Sequence, residues 1–382
     1  LTTLENGVCR TPGLQNIMYT EEDGMASSYV SEIDGNNFGQ VLVGGRWGEL
    51  SVINSGVVSS TISAARSHIA EISGLHYNSN ENSYYIGGSG VYKYDGTEVH
   101  SIGKMGNPLD FIFTSEGKFI GCRNFLWTLE NGEFILVTEP DSGPDCHCLA
   151  EYEDRSFLIG SLLGLHTYKD GIFDTIMDPD SLLNVRMVDI QMHLGFDYVL
   201  ATRGNGMVFV NDGKAKAVTK DEGLASNQVN AFHIQNDSII WVATNNGISR
   251  INSNDLSRTR SFTTKHGLLS NEVTSLYTSN GVLWIGTKKG LNRMQISDLL
   301  QKQKPFPVYI KSVVGAENKL FQHTDKVFLD YHQSYLQVGY TALNFSSSGK
   351  VNYKYRLLGL NDEWVASSSN IIQFPYIPSG DY

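Results

Sequence analysis

The sequence predicts an all-β protein, a seven-bladed β-propeller followed by a partial β-sandwich of the Ig-like class. Three observations lead to this prediction. A hairpin-like segment recurs at spacings of 34 to 43 residues, glycines (38), tyrosines (19) and phenylalanines (17) are abundant among the 382 residues, and only 18% of the residues are charged. Aromatic strand formers with many turn glycines are typical of all-β proteins, and strand-built repeats near 40 residues are typical of propeller blades.

The repeat is clearest in two segments of nearly the same pattern, residues 240–251 and 283–294. Each has a short apolar run, a small residue followed by Thr, a two-residue turn, a Gly and a second strand-like run, which together predict a β-hairpin. The small residue of each unit serves as an anchor for the alignment. The seven anchors are Gly44, Gly87, Gly121, Gly160, Ala201, Ala243 and Gly286.

Further columns support this alignment. The residue after each anchor is small and often carries a hydroxyl group, and a Gly follows a few residues later in every unit except the third. Phe125 takes that place in the third unit, so its turn has to differ. An apolar pair about fourteen residues before most anchors, such as Val30/Ile33 and Val273/Leu276, predicts the innermost strand of each blade.

The last unit has no obvious outer strand of its own, because the chain runs on to Lys304-Pro-Phe-Pro307. An unpaired edge there would invite pairing with other chains. We therefore predict that residues 13–20 complete the seventh blade and that residues 1–304 form the propeller. Residues 1–8 resemble the tail of an earlier repeat. A start at Leu1 without a signal peptide suggests an excised piece.

The repeat ends at Pro307, and residues 305–382 are predicted to form a tyrosine-rich β-sandwich domain. We expect Tyr353, Tyr355 and Trp364 in its core. The chain stops at Pro378-Ser-Gly-Asp-Tyr382, so we expect the domain to be incomplete at its C-terminal end. The strand-like runs are residues 308–313, 326–329, 335–338, 351–356 and 371–374.

Charge and hydropathy exclude several kinds of partner. The net charge of -11 argues against nucleic acid and against anionic membranes, since either needs a basic face. No apolar run approaches the roughly 18 residues of a membrane span, so membrane contact is expected only through segments outside this chain. The four cysteines make no disulfide framework, and their pairing is left open for Cys9, Cys122, Cys146 and Cys148.

Two parts of the chain carry a resemblance to a known pairing of domains. Residues 223–229 and 240–251 resemble the two-component regulator propeller repeat, and residues 351–364 with 377–382 resemble the tyrosine-rich (Y-Y-Y) domain that follows such propellers. In that family the pair forms the periplasmic part of hybrid two-component histidine kinases, many of them in polysaccharide-degrading gut bacteria.

The resemblance implies the periplasmic sensor region of an inner-membrane protein. Such a region recognises an oligosaccharide or a related small-molecule signal and passes it to a histidine kinase, and the full-length receptor is expected to be a homodimer. The segment itself is expected to be no enzyme and to need no cofactor, because the kinase lies outside this chain.

The expected ligand site is one face of the propeller. Hairpin loops and the loops leading into the inner strands emerge on that face around the central channel. Arg and Asn offer bidentate hydrogen bonds to a sugar, Trp47 offers a stacking platform, and the arginines would suit an acidic or sulfated sugar. Asn is also common in turns, which is the alternative explanation. The candidates are Arg46, Trp47, Arg123, Asn124, Arg203, Asn205, Asn245, Asn246, Lys288 and Lys289 in hairpin loops, and Ser28, Arg186, Asn227 and Asn271 in the lead-in loops.

The sequence also contains features that could indicate a metal site, an enzyme or a scaffold. Cys146-His147-Cys148 lacks the second ligand pair of a zinc site, and Cys146 occupies an apolar column, so no metal is predicted. Acidic residues cluster in the fourth unit and would suit a propeller lyase or hydrolase. A scaffold that acts by dimerisation is the third hypothesis. Trp241 and Trp284 are expected to pack in the core. The clustered acids are Asp141, Asp145, Glu151, Glu153 and Asp154.

Overall fold

A computed structural model describes residues 2–3, 7–8, 16–36, 38–103, 106–138, 143–300, 308–316, 320–321, 326–330, 334–342 and 353–382. The chain divides into two compact units, Gly13–Leu300 and Leu1–Pro12 together with Gln301–Tyr382. The predicted boundary between residues 304 and 305 stays a prediction, because it lies outside the described residues.

The unit Gly13–Leu300 contains seven four-stranded antiparallel sheets, which confirms the predicted seven-bladed propeller. The inner strands are Val30–Gly35, Gly74–Asn78, Asp110–Phe113, Cys148–Glu151, Met187–His193, Val229–Asn236 and Val273–Ser279. The second strands are Gln40–Gly45, Ser83–Gly87, Phe119–Arg123, Phe157–Gly160, Phe196–Thr202, Ile239–Thr244 and Val282–Thr287. The third strands are Leu50–Asn54, Val91–Tyr94, Phe125–Glu130, Leu165–Lys169, Met207–Asn211, Gly247–Asn252 and Gly290–Gln295. The outer strands of blades 1 to 6 are Val57–Ile62, Val99–Gly103, Glu133–Leu136, Ile172–Thr175, Lys214–Val218 and Arg260–Phe262.

The outer strand of blade 7 comes from the N-terminal part of the chain. Ile17–Tyr19 pairs antiparallel with Gly290–Gln295, with Tyr19 opposite Leu291. The inner strands contact one another in sequence, and that of blade 7 contacts that of blade 1. The ring therefore closes through packing at its centre and through hydrogen-bonded strands at its rim.

The buried side chains lie between neighbouring sheets. Trp241 is fully buried and Trp284 is 4% exposed, which confirms that both pack in the core. The Trp241 ring lies 6.1 Å from the ring of Phe262, and its Nε1 donates a hydrogen bond to Gln235 Oε1 at 2.8 Å. This hydrogen bond satisfies the indole N–H, so the whole side chain can be buried without leaving a polar group unpaired.

The hydroxyl column of the repeat fastens the hairpin loops. In blade 6, Thr244 Oγ1 donates to Gly247 O at 2.8 Å and accepts from Asn246 N at 3.1 Å. Ser161, Thr202 and Thr287 make the corresponding bonds in blades 4, 5 and 7. Such bonds satisfy backbone groups that a tight turn leaves unpaired, which explains why the sequence repeats a hydroxyl there. Blade 3 turns differently, with Asn124 at a φ of 60°.

We expect Gly247→Ala to destabilise the propeller by more than about 2 kcal/mol, because the new methyl group combines backbone strain with a steric clash. Gly247 has a φ of +114°, and a Cβ atom would lie 2.2 Å from Phe262 O. Urea unfolding checks the loss. Gly213→Ala is the matched control, since Gly213 also has a positive φ but has no atom within 4 Å of the added methyl position. Equal losses in the two variants would contradict the steric explanation.

Short helices occupy some of the connections. They are the α-helices Ala64–Ser67 and Ile296–Leu300 and the 3₁₀ helices Glu21–Asp23, Glu153–Arg155 and Thr264–His266. No helix within the described residues has the length and apolar character needed to cross a membrane.

The other unit contains a four-stranded sheet and two two-stranded ladders. The sheet has the order Leu320–Phe321, Val308–Gly315, Leu336–Ala342, Ile371–Phe374, and the ladders are Tyr353–Leu357 with Asn361–Ser367 and Thr2–Thr3 with Gly7–Val8. Aromatic rings join the sheet to the first ladder edge-on, Tyr340 to Tyr353 at 4.7 Å and Tyr355 to Phe374 at 6.2 Å. These paired layers fit the predicted Ig-like domain.

The prediction of Trp364 in the core of this domain is wrong. Tyr353 and Tyr355 are half-buried, but Trp364 is 59% exposed and has the guanidinium group of Arg356 4.8 Å from its ring. Val365 is the residue that pairs with Tyr355 across the hairpin. Successive side chains of a strand point to opposite faces, so Trp364 shares the face of Arg356 and not that of the tyrosines.

Candidate functional site

Two sets of loops share one face of the propeller, which we call the hairpin face. The hairpin loops join second and third strands, and the lead-in loops precede inner strands. Backbone hydrogen bonds tie the two sets together, for example from Arg203 N to Arg186 O at 3.0 Å and from Gly247 N to Asn271 O at 2.7 Å. Side chains from different blades are therefore held on a connected backbone.

Most candidate asparagines use their amide groups to hold these loops. The Oδ1 atoms of Asn227 and Asn271 accept hydrogen bonds from Lys220 N at 2.7 Å and from Thr264 N at 2.8 Å. The Nδ2 atoms of Asn205 and Asn246 donate to backbone carbonyl groups at 3.3 and 3.2 Å. Part of each amide is thus engaged in folding, and a ligand contact from these residues stays a prediction.

The remaining uncharged candidates divide in the same way. Asn124 supplies the left-handed turn of blade 3. Ser28 exchanges two hydrogen bonds with Glu21, at 3.1 and 2.9 Å, so its hydroxyl group is occupied within its own lead-in loop. Asn245 is exposed, as its position in the hairpin loop of blade 6 predicts.

Arg46 and Trp47 form an exposed platform on blade 1. The guanidinium group of Arg46 lies 4.8 Å from the Trp47 ring and 5.3 Å from the ring of Tyr29 in the lead-in loop. Trp47 is 60% exposed, and its backbone N–H donates to Glu49 Oε2 at 2.9 Å. An aromatic surface beside a planar group of hydrogen-bond donors is the combination that a sugar ring requires.

A second group of cations lies on blades 4 and 5. Burial lowers the pKa of Arg203, and the positive charge of Arg186 lowers it further. Burial and then Arg186 likewise lower the pKa of His147, while the charge of Asp145 acts in the opposite direction. The charge of Arg186 therefore acts on both Arg203 and His147.

The other cationic candidates lie elsewhere on the hairpin face. Arg123 lies beside Gly106, before the inner strand of blade 3. Lys288 Nζ forms an ion pair with Glu272 Oε2 at 3.3 Å on blade 7, and Lys289 is exposed beside it.

The acidic residues of blade 4 do not form one site among the described residues. Asp145 precedes the inner strand Cys148–Glu151, whereas Glu151 and Glu153 lie at its far end, so strand length alone separates them by roughly 10 Å. Both carboxylate oxygens of Glu151 accept hydrogen bonds from Ser115, at 2.6 and 2.9 Å. Asp141 and the side chain of Asp154 lie outside the described residues.

Partly buried carboxyl groups on the inner strands are the feature that the sequence interpretation missed. Burial, together with the negative charges of Asp189, Asp110 and Asp34, raises the pKa of Glu32 to about 8. Burial is also the main cause that raises the pKa of Asp110 to about 7 and the pKa values of Asp34 and Asp189 to about 6. Side chains from blades 1, 3 and 5 interact in this way because their inner strands surround one channel.

Two of these carboxyl groups and one hydroxyl group join neighbouring inner strands. Asp34 Oδ2 accepts from Tyr77 N at 2.6 Å, and Asp110 Oδ2 accepts from Leu149 N at 2.9 Å. Ser275 Oγ accepts from Ile33 N at 3.0 Å, which links blade 7 to blade 1. The sequence does contain a signal for these polar groups. In the apolar pair that marks an inner strand, a polar residue stands directly before the second apolar residue, as at Glu32, Asp189 and Ser275.

The three buried cysteines carry free thiol groups. Cys122, Cys146 and Cys148 are free, so the disulfide between Cys122 and Cys148 that the sequence left open is not formed in the structure. Within the described part of the chain, no group of His, Cys, Asp and Glu side chains has the arrangement of a metal site. Cys9 lies outside the described residues.

Comparison with solved structures shows the same fold in extracellular domains of one-component and hybrid two-component systems and in a lyase. The extracellular domain of BT3049 from B. thetaiotaomicron, classed as a hybrid two-component system, is 18% identical, with a TM-score of 0.77 over 96% of this chain and 54% of that chain. The extracellular domain of BT4673 from B. thetaiotaomicron, classed as a one-component system, is 15% identical, with a TM-score of 0.59 over 97% and 55%. Virginiamycin B lyase from Staphylococcus aureus is 12% identical, with a TM-score of 0.58 over 73% and 97%.

At these identities the likeness shows the fold alone. The chain spans about half the length of the two extracellular domains that it matches. Curated protein sequences gave no match.

Family models match both parts of the chain. The model described as a two component regulator propeller matches residues 267–289, which lie in blade 7, and the Y_Y_Y domain model matches residues 344–382. The resemblance seen in the sequence is thereby confirmed: residues in blade 7 match the two-component regulator propeller model and the C-terminal residues match the Y_Y_Y domain model.

Proposed function

We propose that this chain is the extracytoplasmic sensing region of a hybrid two-component system, and that it recognises an oligosaccharide and passes the signal to a membrane-linked histidine kinase. The observation that carries the proposal is the order of the two family matches, the propeller first and the Y_Y_Y domain after it. The fold of the BT3049 extracellular domain matches 96% of this chain and so includes both parts. A periplasmic location and a homodimeric receptor belong to the same proposal.

The hairpin face supplies what a sugar ligand requires. Trp47 offers an exposed ring, Arg46 lies beside it, and cations from blades 4 and 5 lie on the same face. These side chains come from loops on a closed ring of sheets, so their positions are held by a rigid scaffold. A ligand that contacts several blades would be recognised by the combination of groups.

A lyase or hydrolase is the alternative function, and the propeller fold is compatible with it, since virginiamycin B lyase shares the fold. The arrangement of blade 4 favours the sensor. Asp145 lies on the hairpin face, while Glu151 and Glu153 lie at the other end of the inner strand. Two carboxyl groups of a glycosidase have to flank one scissile bond, roughly 5–10 Å apart and facing each other.

Calorimetry with a panel of oligosaccharides tests the proposal. We expect one class of glycan to bind without being cleaved, and we expect Trp47→Ala to weaken that binding roughly two- to tenfold, because a stacked aromatic contact contributes on the order of 0.5–1.5 kcal/mol. Phe38→Ala is the matched control, since Phe38 is an 86% exposed aromatic residue between the inner and second strands of blade 1, on the opposite face. Turnover of the bound glycan would favour the enzyme, and binding of no glycan would contradict the sensor proposal.

A further inference from the structure

We propose that Arg186, Arg203 and His147 form an anion-binding site on the hairpin face of blades 4 and 5, which takes the carboxylate or sulfate group of an acidic oligosaccharide. This inference rests on the proposed function and specifies the charge of its ligand.

The backbone holds these three residues together. Arg203 N donates to Arg186 O at 3.0 Å, and Arg203 also pairs with Gln228 at the start of blade 6. Met187 N, the residue after Arg186, donates to Ser161 O at 3.0 Å in the hairpin loop of blade 4. His147 N donates to Gly160 O at 2.8 Å in the same blade. The backbone of the two arginines and of His147 is thus positioned by neighbouring blades before any ligand arrives.

The charges of the two arginines are not neutralised within the described residues. Some cations of the propeller have carboxylate partners, as in the pairs of Lys288 with Glu272 and of Arg155 with Glu116. Neither Arg186 nor Arg203 is in such a pair, and Arg186 lowers the pKa of both Arg203 and His147 after the effect of burial. The negative charge of Asp145, an exposed residue, raises the pKa of His147 and so opposes the effect of Arg186.

Like charges held together without a counter-ion favour an external anion. Such a ligand would relieve the repulsion between Arg186 and Arg203 and accept bidentate hydrogen bonds from their guanidinium groups. The whole protein has a net charge of -11, so this cluster is a local feature and not part of a generally basic surface. Its location on the hairpin face, with the exposed Trp47 ring on blade 1, suits an acidic sugar chain that reaches across the ring.

Three probes of matched length test the proposal: an oligogalacturonate, a sulfated glycosaminoglycan fragment and a neutral cello-oligosaccharide. We expect one of the acidic probes to bind the chain, with an affinity that falls as salt increases. The double variant Arg186→Gln/Arg203→Gln should weaken this binding at least tenfold, and which acidic probe binds identifies carboxylate or sulfate as the group recognised. Arg155→Gln is the matched control, because Arg155 is exposed and lies at the opposite end of the blade 4 inner strand.

Titration of His147 by NMR gives a second readout that does not depend on affinity. We expect the acidic probe to raise the pKa of His147, because a bound anion offsets the charge of Arg186, and we expect Arg186→Gln alone to raise it in the free protein. Unchanged acidic-probe binding in the double variant would overturn the site. Binding of the neutral probe alone would overturn this inference and leave the sensor proposal standing, whereas binding of no probe would overturn both.

Discussion

Tyr19→Ala is expected to lower the melting temperature of the propeller by about 10 °C, because it removes the side chain that anchors the closing strand. Tyr19 is 5% exposed, its hydroxyl group donates to Gly56 O of blade 1 at 2.6 Å, and its ring lies 6.0 Å from that of Trp284. Removal of a buried aromatic side chain costs roughly 3–5 kcal/mol. The loss also weakens the pairing that covers the edge strand Gly290–Gln295, so aggregation on heating should increase.

Two further variants separate the causes. Tyr19→Phe removes only the hydroxyl group and should cost about 1–2 kcal/mol, since it breaks one hydrogen bond. Met18→Ala is the control, because Met18 lies next to Tyr19 on the same strand but is 36% exposed. Differential scanning calorimetry measures all three. If Tyr19→Ala melts within 2 °C of Met18→Ala, the strand does not stabilise the ring.

The propeller is expected to lose stability as the pH rises from 6.5 to about 8, because Glu32 and Asp110 in the folded protein still hold protons that the unfolded chain has already released. Glu32 has an ordinary pKa of 4.5 and a folded-state pKa of about 8, and Asp110 rises from 3.8 to about 7. A group with a raised folded-state pKa binds protons more strongly in the native protein. Its contribution is therefore complete below its ordinary pKa and is lost as the pH passes the folded value.

The lower pH range is less informative, because other groups oppose this trend. Burial lowers the pKa of His233 from 6.5 to about 4, which makes the folded protein more stable as the pH rises across that interval. Asp34 and Asp189 have folded-state pKa values of about 6 and finish ionising near there. Above pH 6.5 the carboxyl groups of Glu32 and Asp110 dominate.

Glu32→Gln isolates the larger contribution. The amide resembles the protonated carboxyl group, so we expect it to leave the melting temperature nearly unchanged at pH 5. At pH 8.5 it should raise the melting temperature by roughly 5–10 °C, which corresponds to on the order of 3 kcal/mol. Glu130→Gln, at an exposed strand end of blade 3, is the control and should have little effect at either pH. A parallel decline of the native chain and Glu32→Gln above pH 6.5 would contradict the assignment to Glu32.

The sequence predicts well the part of the fold that depends on contacts between residues close together in the chain. Thr244 and Gly247 recur in related form in blades 4 to 7 because the hairpin loops there satisfy the same backbone groups, and such columns allow the blades to be counted. The match at residues 267–289 falls on that same repeat. The closing strand Ile17–Tyr19 was expected because a sheet edge without a partner is unfavourable.

The contacts of the candidate site residues could not be predicted from the sequence. The sequence places Asn227, Asn271 and Arg203 in loops on one face, but only the structure shows that the two asparagine amides are hydrogen-bonded within the fold while the guanidinium group lies near that of another arginine. Loop residues of a single sequence do not indicate which partner they will find, since that depends on the conformation of the loop, even for a partner seven residues away as for Asn227 and Asn271.

By itself the sequence determined the fold class, the number of blades and the order of the two domains, because each depends on patterns repeated within about 40 residues. The tertiary structure alone decided that Glu32, Asp110 and Asp189 meet in the channel, that Arg186 lies beside Arg203, and that Trp364 is exposed. Alternation along a strand says that neighbours point to opposite faces. Which face becomes the interior is settled by the sheets that pack against it.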